Sequence, residues 1–350
     1  MPNTPAPVMD PALSQRRLIT GVLMLPLFFL IFLPGMFIGA LHSPTPDGLR
    51  VAVIGDTPQA NTVVGRLAVA AEGFDVRRLP DVDIAAEQLR GLDLRAAYDP
   101  VTGDLYIASA GGTQSATAAE TLFSSVARSL GTPVEVHDVA PLPSADRLGT
   151  SALYIGIGAI VGGFLSGLIV CMIAARLPIG WQVLTVSVMS VVVAGIETLY
   201  GWVIFDIFSD NASASTALLA GLALVSGLVT LAGMRLIGPA MIMLSLLVLV
   251  FGGVTASGLT VPLDLAPEFY RWIHEILPTA RGLSALRAIV YFDGHGIAAD
   301  LAVMAVWGIA ALALLGVLRN RSEVPGMAAL QNAEVDEAVV AVGAAAATSA

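Results

Sequence analysis

Lysine is missing from this chain, and all 17 basic residues are arginine. Charge of either sign is scarce at 13 % of residues, aromatic residues make up 6 %, and cysteine occurs once, as Cys171. One cysteine excludes an intrachain disulfide and a cysteine metal cluster. A formal charge of −10 excludes a general affinity for nucleic acid. No G-x-x-x-x-G-K-[ST] stretch occurs, so the chain cannot hydrolyse ATP through a phosphate-binding loop of that type. The turn Gly55-Asp56-Thr57-Pro58 lacks the G-x-G-x-x-G pattern, which argues against a dinucleotide site.

What fills the chain is apolar. Hydrophobic residues reach 56 % and the mean hydropathy is positive, the composition of an integral membrane protein. A bilayer core needs about 20 apolar residues in a helix, and runs of that length occur at 18–41, 151–175, 181–205, 214–234, 236–258 and 298–318. Arg16, Arg17, Arg176, Arg235, Arg319 and Arg321 all fall on one side if the N-terminus is cytoplasmic. Both termini are then inside the cell membrane, and residues 42–150, 206–213 and 259–297 are outside. The first run outlasts the apolar region of a cleaved signal and is expected to stay as an anchor. Its Pro26 and Pro34 remove backbone bonds and predict bends, for packing or for a hinge.

The expected architecture is therefore an α-helical membrane protein of six transmembrane helices. Residues 1–17 form a cytoplasmic segment, with 10–17 a candidate short helix, and 18–41 the first span. Residues 42–150 form an extracytoplasmic α/β domain inserted between the first and second spans. Residues 151–318 form a five-helix bundle that includes an external amphipathic hairpin at 259–297, and 319–350 an acidic, low-complexity, disordered cytoplasmic tail. The inserted stretch alternates between strand patterns ("LRVAVIGD", "FDVRRL", "LRAAYD", "DLYIASA", "PVEVHDV") and helix patterns ("TVVGRLAVAAEG", "DIAAEQLRGLD", "TQSATAAETLFSSVARSLG").

Few residues carry candidate chemistry. Gly111-Gly112-Thr113 could offer backbone N–H groups to an anion, but it reads first as a turn and cap. His137, Asp138 and Ser144 are the types of a nucleophilic triad, although nearness in sequence is not triad geometry. No metal site, no catalytic residue and no enzymatic activity are expected. Gly158, Gly162, Gly163 and Gly167 stand four apart in pairs, the spacing that lets helices in lipid approach closely. Glu197 lies about ten residues inside a span, where a carboxylate is costly; it should face the protein interior, pair with Thr198, Tyr200 or a neighbouring helix, or line a wet path.

The hairpin stretch carries Pro262, Pro267 and Pro278. Phe269, Trp272, Ile273 and Ile276 repeat at helical spacing, with Glu268, Arg271 and Glu275 on the other side. Leu283, Leu286 and Val290 share one face of the next segment, with Arg281 and Arg287 as exceptions. This fits an interfacial helix pair as well as a solvated loop. Glu197, Phe269, Arg271, Trp272, Pro278 and Arg287 are the candidate residues of a substrate path or gate.

The run "LTVPLDLAPEFYRWIHEILPTARGLSALRAIVYFDG" resembles the segment before the last span in the type-2 permease family of ABC transporters, at Pro262, Pro267, Phe269, Leu277, Pro278, Leu286 and Arg287. The order of one span, an external domain and five spans is also similar, most of all to phage-infection-protein-like actinobacterial members. The resemblance implies a homo- or heterodimeric permease subunit that exports a lipid-like or amphiphilic substrate, with ATP used by a separate ATPase subunit and no cofactor in this chain. It departs from the family in the loop between the second and third spans, barely Arg176 to Gly180, which leaves little surface for an ATPase. A non-transporting envelope receptor or scaffold, whose domain binds a partner, is the alternative; a membrane enzyme is the weakest of the three.

Overall fold

The computed structural model describes residues 11–208, 211–320 and 325, with side chains from residue 23 onward. Expectations that fall on residues 1–10, on Asp210, on Arg321 and on the tail that follows it lie outside the described residues.

Helix α1 (Pro11–Leu41) continues through Pro26 and Pro34 as one element. Its leucines and isoleucines are largely exposed, as suits a helix facing lipid. It meets the rest of the molecule through rings: Phe28, Phe29 and Phe37 surround Phe251 with centroids 5.9, 5.5 and 6.3 Å away.

Five strands follow, β1 (Leu49–Ile54), β2 (Phe74–Leu79), β3 (Ala96–Tyr98), β4 (Asp104–Ile107) and β5 (Glu135–Asp138), in the sheet order β2-β1-β3-β4-β5. Only the β3–β4 pair is antiparallel. Val51 to Ile54 are buried on both faces, which explains why β1 reads as an unbroken apolar run. Helices α2 (Pro58–Ala70), α3 (Val82–Arg90) and α4 (Thr113–Leu130) connect the strands. Thr57 and Asp81 cap the first two, accepting from the N–H groups of Ala60 at 3.2 Å and Ile84 at 2.9 Å.

The bundle comprises α5 (Ser151–Ile173), α6 (Ile179–Thr198), α7 (Ala212–Ile237), α8 (Ala240–Ser245), α9 (Gly253–Thr255), α10 (Glu268–Ile276), α11 (Pro278–Tyr291) and α12 (Ala298–Val317). With α1, the described residues include five helices long and apolar enough to cross a membrane, as expected of a multi-pass membrane protein: Leu23–Leu41, Ser151–Ile173, Ile179–Ile204, Ala212–Ile237 and Ala298–Asn320. The run expected at 236–258 differs, because Gly238 and Pro239 break the chain at one end and Gly258 (φ +76°) ends the segment at the other. What lies between is a shorter apolar helix, Ala240–Thr255, with a π-helical stretch at Leu246–Gly252 joining α8 to α9. A second π-helical stretch, Leu199–Ile204, continues α6.

Helix α7 is the most enclosed span and the hub of the bundle. A Cβ on Gly163 would come within 2.1 Å of the Ala223 carbonyl oxygen, and one on Gly167 within 2.2 Å of that of Gly227, so α5 and α7 touch backbone to backbone. Gly162 meets Val193 of α6 instead. The glycine pairs thus serve two neighbours: Gly163 and Gly167 fit α7, while Gly158 and Gly162 face α6.

Candidate functional site

Two of the places where polar groups enter this apolar frame hold candidate path residues. The first is the groove between the starts of α5 and the end of α6. Glu197 lies two residues before the π-helical turn, half-buried, with its carboxylate over Gly158, where a Cβ would stand 2.0 Å from Oε1. Glycine at 158 is therefore what lets the carboxylate lie against α5. The expected pairing with a neighbouring hydroxyl is not formed: the Thr198 hydroxyl is 2.8 Å from Thr216 of α7, and the Tyr200 ring stacks on Phe205 at 6.3 Å. Among the described residues no cation or donor partners Glu197. Its carboxylate opens on a cavity of about 350 Å³ whose walls include Ser151, Tyr154, Ile155, Tyr200 and Phe205.

The second place is the junction between the sheet and the hairpin α10–α11. Asp264, in the loop before α10, accepts from Arg95 Nε at 2.5 Å and Ser115 Oγ at 3.0 Å. Arg95 and Asp264 are each 10 % exposed, so this ion pair is screened from solvent. Arg287 is buried and donates to the Gly258 carbonyl at 2.8 Å; burial first, and Arg95 second, pull its pKa down to about 10. Gly112, at φ +134°, is packed by Pro262, so the turn at 111–113 receives the hairpin loop. Tyr291 donates to Asp146 at 2.5 Å, and burial, then this bond, pushes the phenol up. Asp146 also accepts from the N–H groups of Thr150 and Ser151 and so caps the start of α5.

The hairpin sits deeper than an interfacial pair. Trp307, midway along α12, donates from its indole N–H to the Ile276 carbonyl at 2.8 Å. Gly282 faces Leu222 and Met304, and Gly253 faces Thr279. The Leu277-Pro278 turn is thus level with the middle of the bundle, where irregular backbone is tolerated only inside protein. Helix α10 is inverted relative to an ordinary amphipathic helix. Phe269, Trp272 and Ile276 are exposed, while Tyr270 and His274 are buried, bonded to the carbonyls of Met36 and Ala256 at 2.8 Å each. Burial first, then the Arg281 charge, lowers the His274 pKa to about 4. Arg271 reaches back to Asp47 at 2.5 Å, and Arg281 bridges Glu275 and Asp300.

The candidate path residues are therefore dispersed. Glu197 lines one cavity; Arg287 lines another of about 130 Å³ with Thr113, Thr150 and Thr260; Phe269 and Trp272 face outward; Pro278 is buried at the start of α11. Sequence reading missed Arg95, Ser115, Asp264 and His274, whose partners are remote in sequence. The triad does not assemble, because His137 turns its Nε2 to Asp104 at 3.0 Å and Asp138 accepts from the N–H groups of Ser109 and Ala140. Asp104, Glu135 and His137 have ligand atoms within 4.8 Å of one another and are the described set close enough to hold a cation.

The profile of a family described as "Protein of unknown function (DUF3533)" matches residues 216–313, from the first turns of α7 to near the end of α12. No curated protein and no solved structure matches the chain. Over these residues, less than half of the chain, the protein is thus similar to a family whose own function is open.

Proposed function

We propose that the chain is the membrane permease subunit of an ABC-type exporter, moving a lipid-like or amphiphilic substrate out of the cell with energy from a separate ATPase. The observation that carries this reading is Glu197, an unpartnered carboxylate inside a span that opens on a groove. Such a group is expensive in a merely structural helix. The hairpin sunk among α5, α7 and α12 adds to it, since broken helices at membrane depth are tolerated only inside protein or along a water-filled cavity.

In this proposal residues 42–150 face outward and both termini are cytoplasmic. Arg235 bonds to Gln182 and to the Ala175 carbonyl, which gathers Arg176 and Arg235 at one end of the bundle, away from the sheet. The chain acts as a homo- or heterodimer. A non-transporting receptor or scaffold is favoured by one observation, the short connection from α5 to α6, which offers an ATPase little to grip. Purification in mild detergent discriminates the two. An ATPase subunit that accompanies the chain, and whose hydrolysis rises with an added amphiphile, supports the permease; a chain isolated with an extracellular partner and no ATPase overturns it.

A further inference from the structure

The cavity at Glu197 has a chemistry of its own. Among the described residues its walls carry one acidic group, no arginine and no histidine, and so no cationic side chain to recognise phosphate or sulfate. Three rings, Tyr154, Tyr200 and Phe205, line the same space. The Tyr200 and Phe205 rings lie nearly parallel, at 17°. Aromatic faces attract cations, and trimethylammonium groups most selectively, because such cations cannot donate hydrogen bonds and shed water readily. The Glu197 carboxylate lies beside the rings with no cation partner among the described residues, so a bound cation supplies the opposing charge it lacks.

From this we infer that the groove binds the cationic headgroup of an amphiphile, a quaternary ammonium above all. The size agrees: about 350 Å³ is near the lower end for a complete ligand, enough for a headgroup and its first methylenes. The exposure of Tyr154 and Phe205 leaves the groove open to the side, where an apolar tail would lie against the bundle surface. Ser151, at the first position of α5, is a hydroxyl beside the rings and adds no charge. Gly158 is part of the site, since only a residue without Cβ leaves the Glu197 carboxylate in place.

The identity of the substrate rests on the export reading, but the site can be tested without it. Isothermal titration of the purified full chain in a nonionic detergent with tetrapropylammonium chloride, against sodium chloride as control, should show saturable binding. Glu197→Gln should weaken it about tenfold, the loss of one charge–charge contact. A double substitution Tyr154→Ala with Tyr200→Ala should do the same, and Tyr154→Phe, which keeps the ring, should bind as the natural chain does. Each variant is compared at an equal melting temperature and a single size-exclusion peak. No saturable binding, or equal binding by Glu197→Gln, overturns the proposal. Efflux from cells of a trimethylammonium-tagged diphenylhexatriene, beside its untagged parent, separates the two readings. Cation binding with no efflux of either probe keeps the site and sinks the permease; efflux of the neutral probe with no cation binding does the reverse.

Discussion

Single residues show most sharply what the sequence can and cannot disclose. Glu197 is conspicuous in sequence because a carboxylate in a long apolar run needs a reason, and its place over Gly158 supplies one. It has no ion pair to lose, so Glu197→Gln should leave the melting temperature in detergent unchanged or raised. A marked fall would mean the carboxylate holds the helices together. Gly158→Ala should destabilise by roughly 1–3 kcal/mol, the usual cost of overpacking, as thermal unfolding would read it. His274 could not be singled out in sequence, because its burial comes from the fold. Its pKa of about 4 lies below the ordinary value of 6.5, so the folded state prefers the neutral ring. The stabilising preference is complete above pH 6.5 and is lost progressively as pH falls toward 4, a swing of about 3 kcal/mol. Melting temperature measured from pH 7 down to pH 4.5 should therefore fall more steeply for the natural chain than for His274→Gln, and parallel curves would refute it.

At the scale of elements, five of the six apolar runs were readable because twenty consecutive apolar residues leave no other stable home, whereas the run at 236–258 forms a shorter helix. The strands and helices of the sheet were readable because turn residues punctuate them. Helix α10 was harder. A stripe of Phe269, Trp272 and Ile276 looks the same in sequence whether it faces a core or lipid, and here it faces away from the protein. Trp272→Asp should thus lower the yield of folded protein, at a cost of about 2.5–3.5 kcal/mol if that face meets hydrocarbon. Glu275→Gln touches only an exposed partner of Arg281 and should cost under about 1 kcal/mol. Equal yields and melting temperatures for the two would place Trp272 in water. The union of Arg95 with Asp264 was out of reach, since 169 residues separate them and Asp264 is not one of the positions that carry the resemblance. Asp264→Ala leaves Arg95 buried and unpaired, and should cost about 3–5 kcal/mol in thermal or denaturant unfolding. Replacing both partners by apolar residues should recover much of that loss.

For the molecule as a whole, arginine placement predicts one end of the bundle inside and the sheet outside. Cys171 is buried and is the single native thiol, so Cys171→Ser gives a silent background. Val69→Cys on α2, an exposed position, should then react with an impermeant maleimide in intact cells, and Leu177→Cys between α5 and α6, also exposed, only after the cells are permeabilised. Labelling from the same face would end the proposed topology and the permease with it. The ties between the two halves of the structure have a mechanical meaning. Asp47 is held by Arg271 and by the Asp264 backbone, Asp264 is held by Arg95 and Ser115, and Tyr291 is held by Asp146. These contacts brace the sheet against the sunken hairpin at separate points, as struts brace a lever. In the permease reading a moving hairpin would pull on the sheet through these ties, so an antibody fragment that clamps the sheet should slow export from outside, acting as a brake that never enters the bundle.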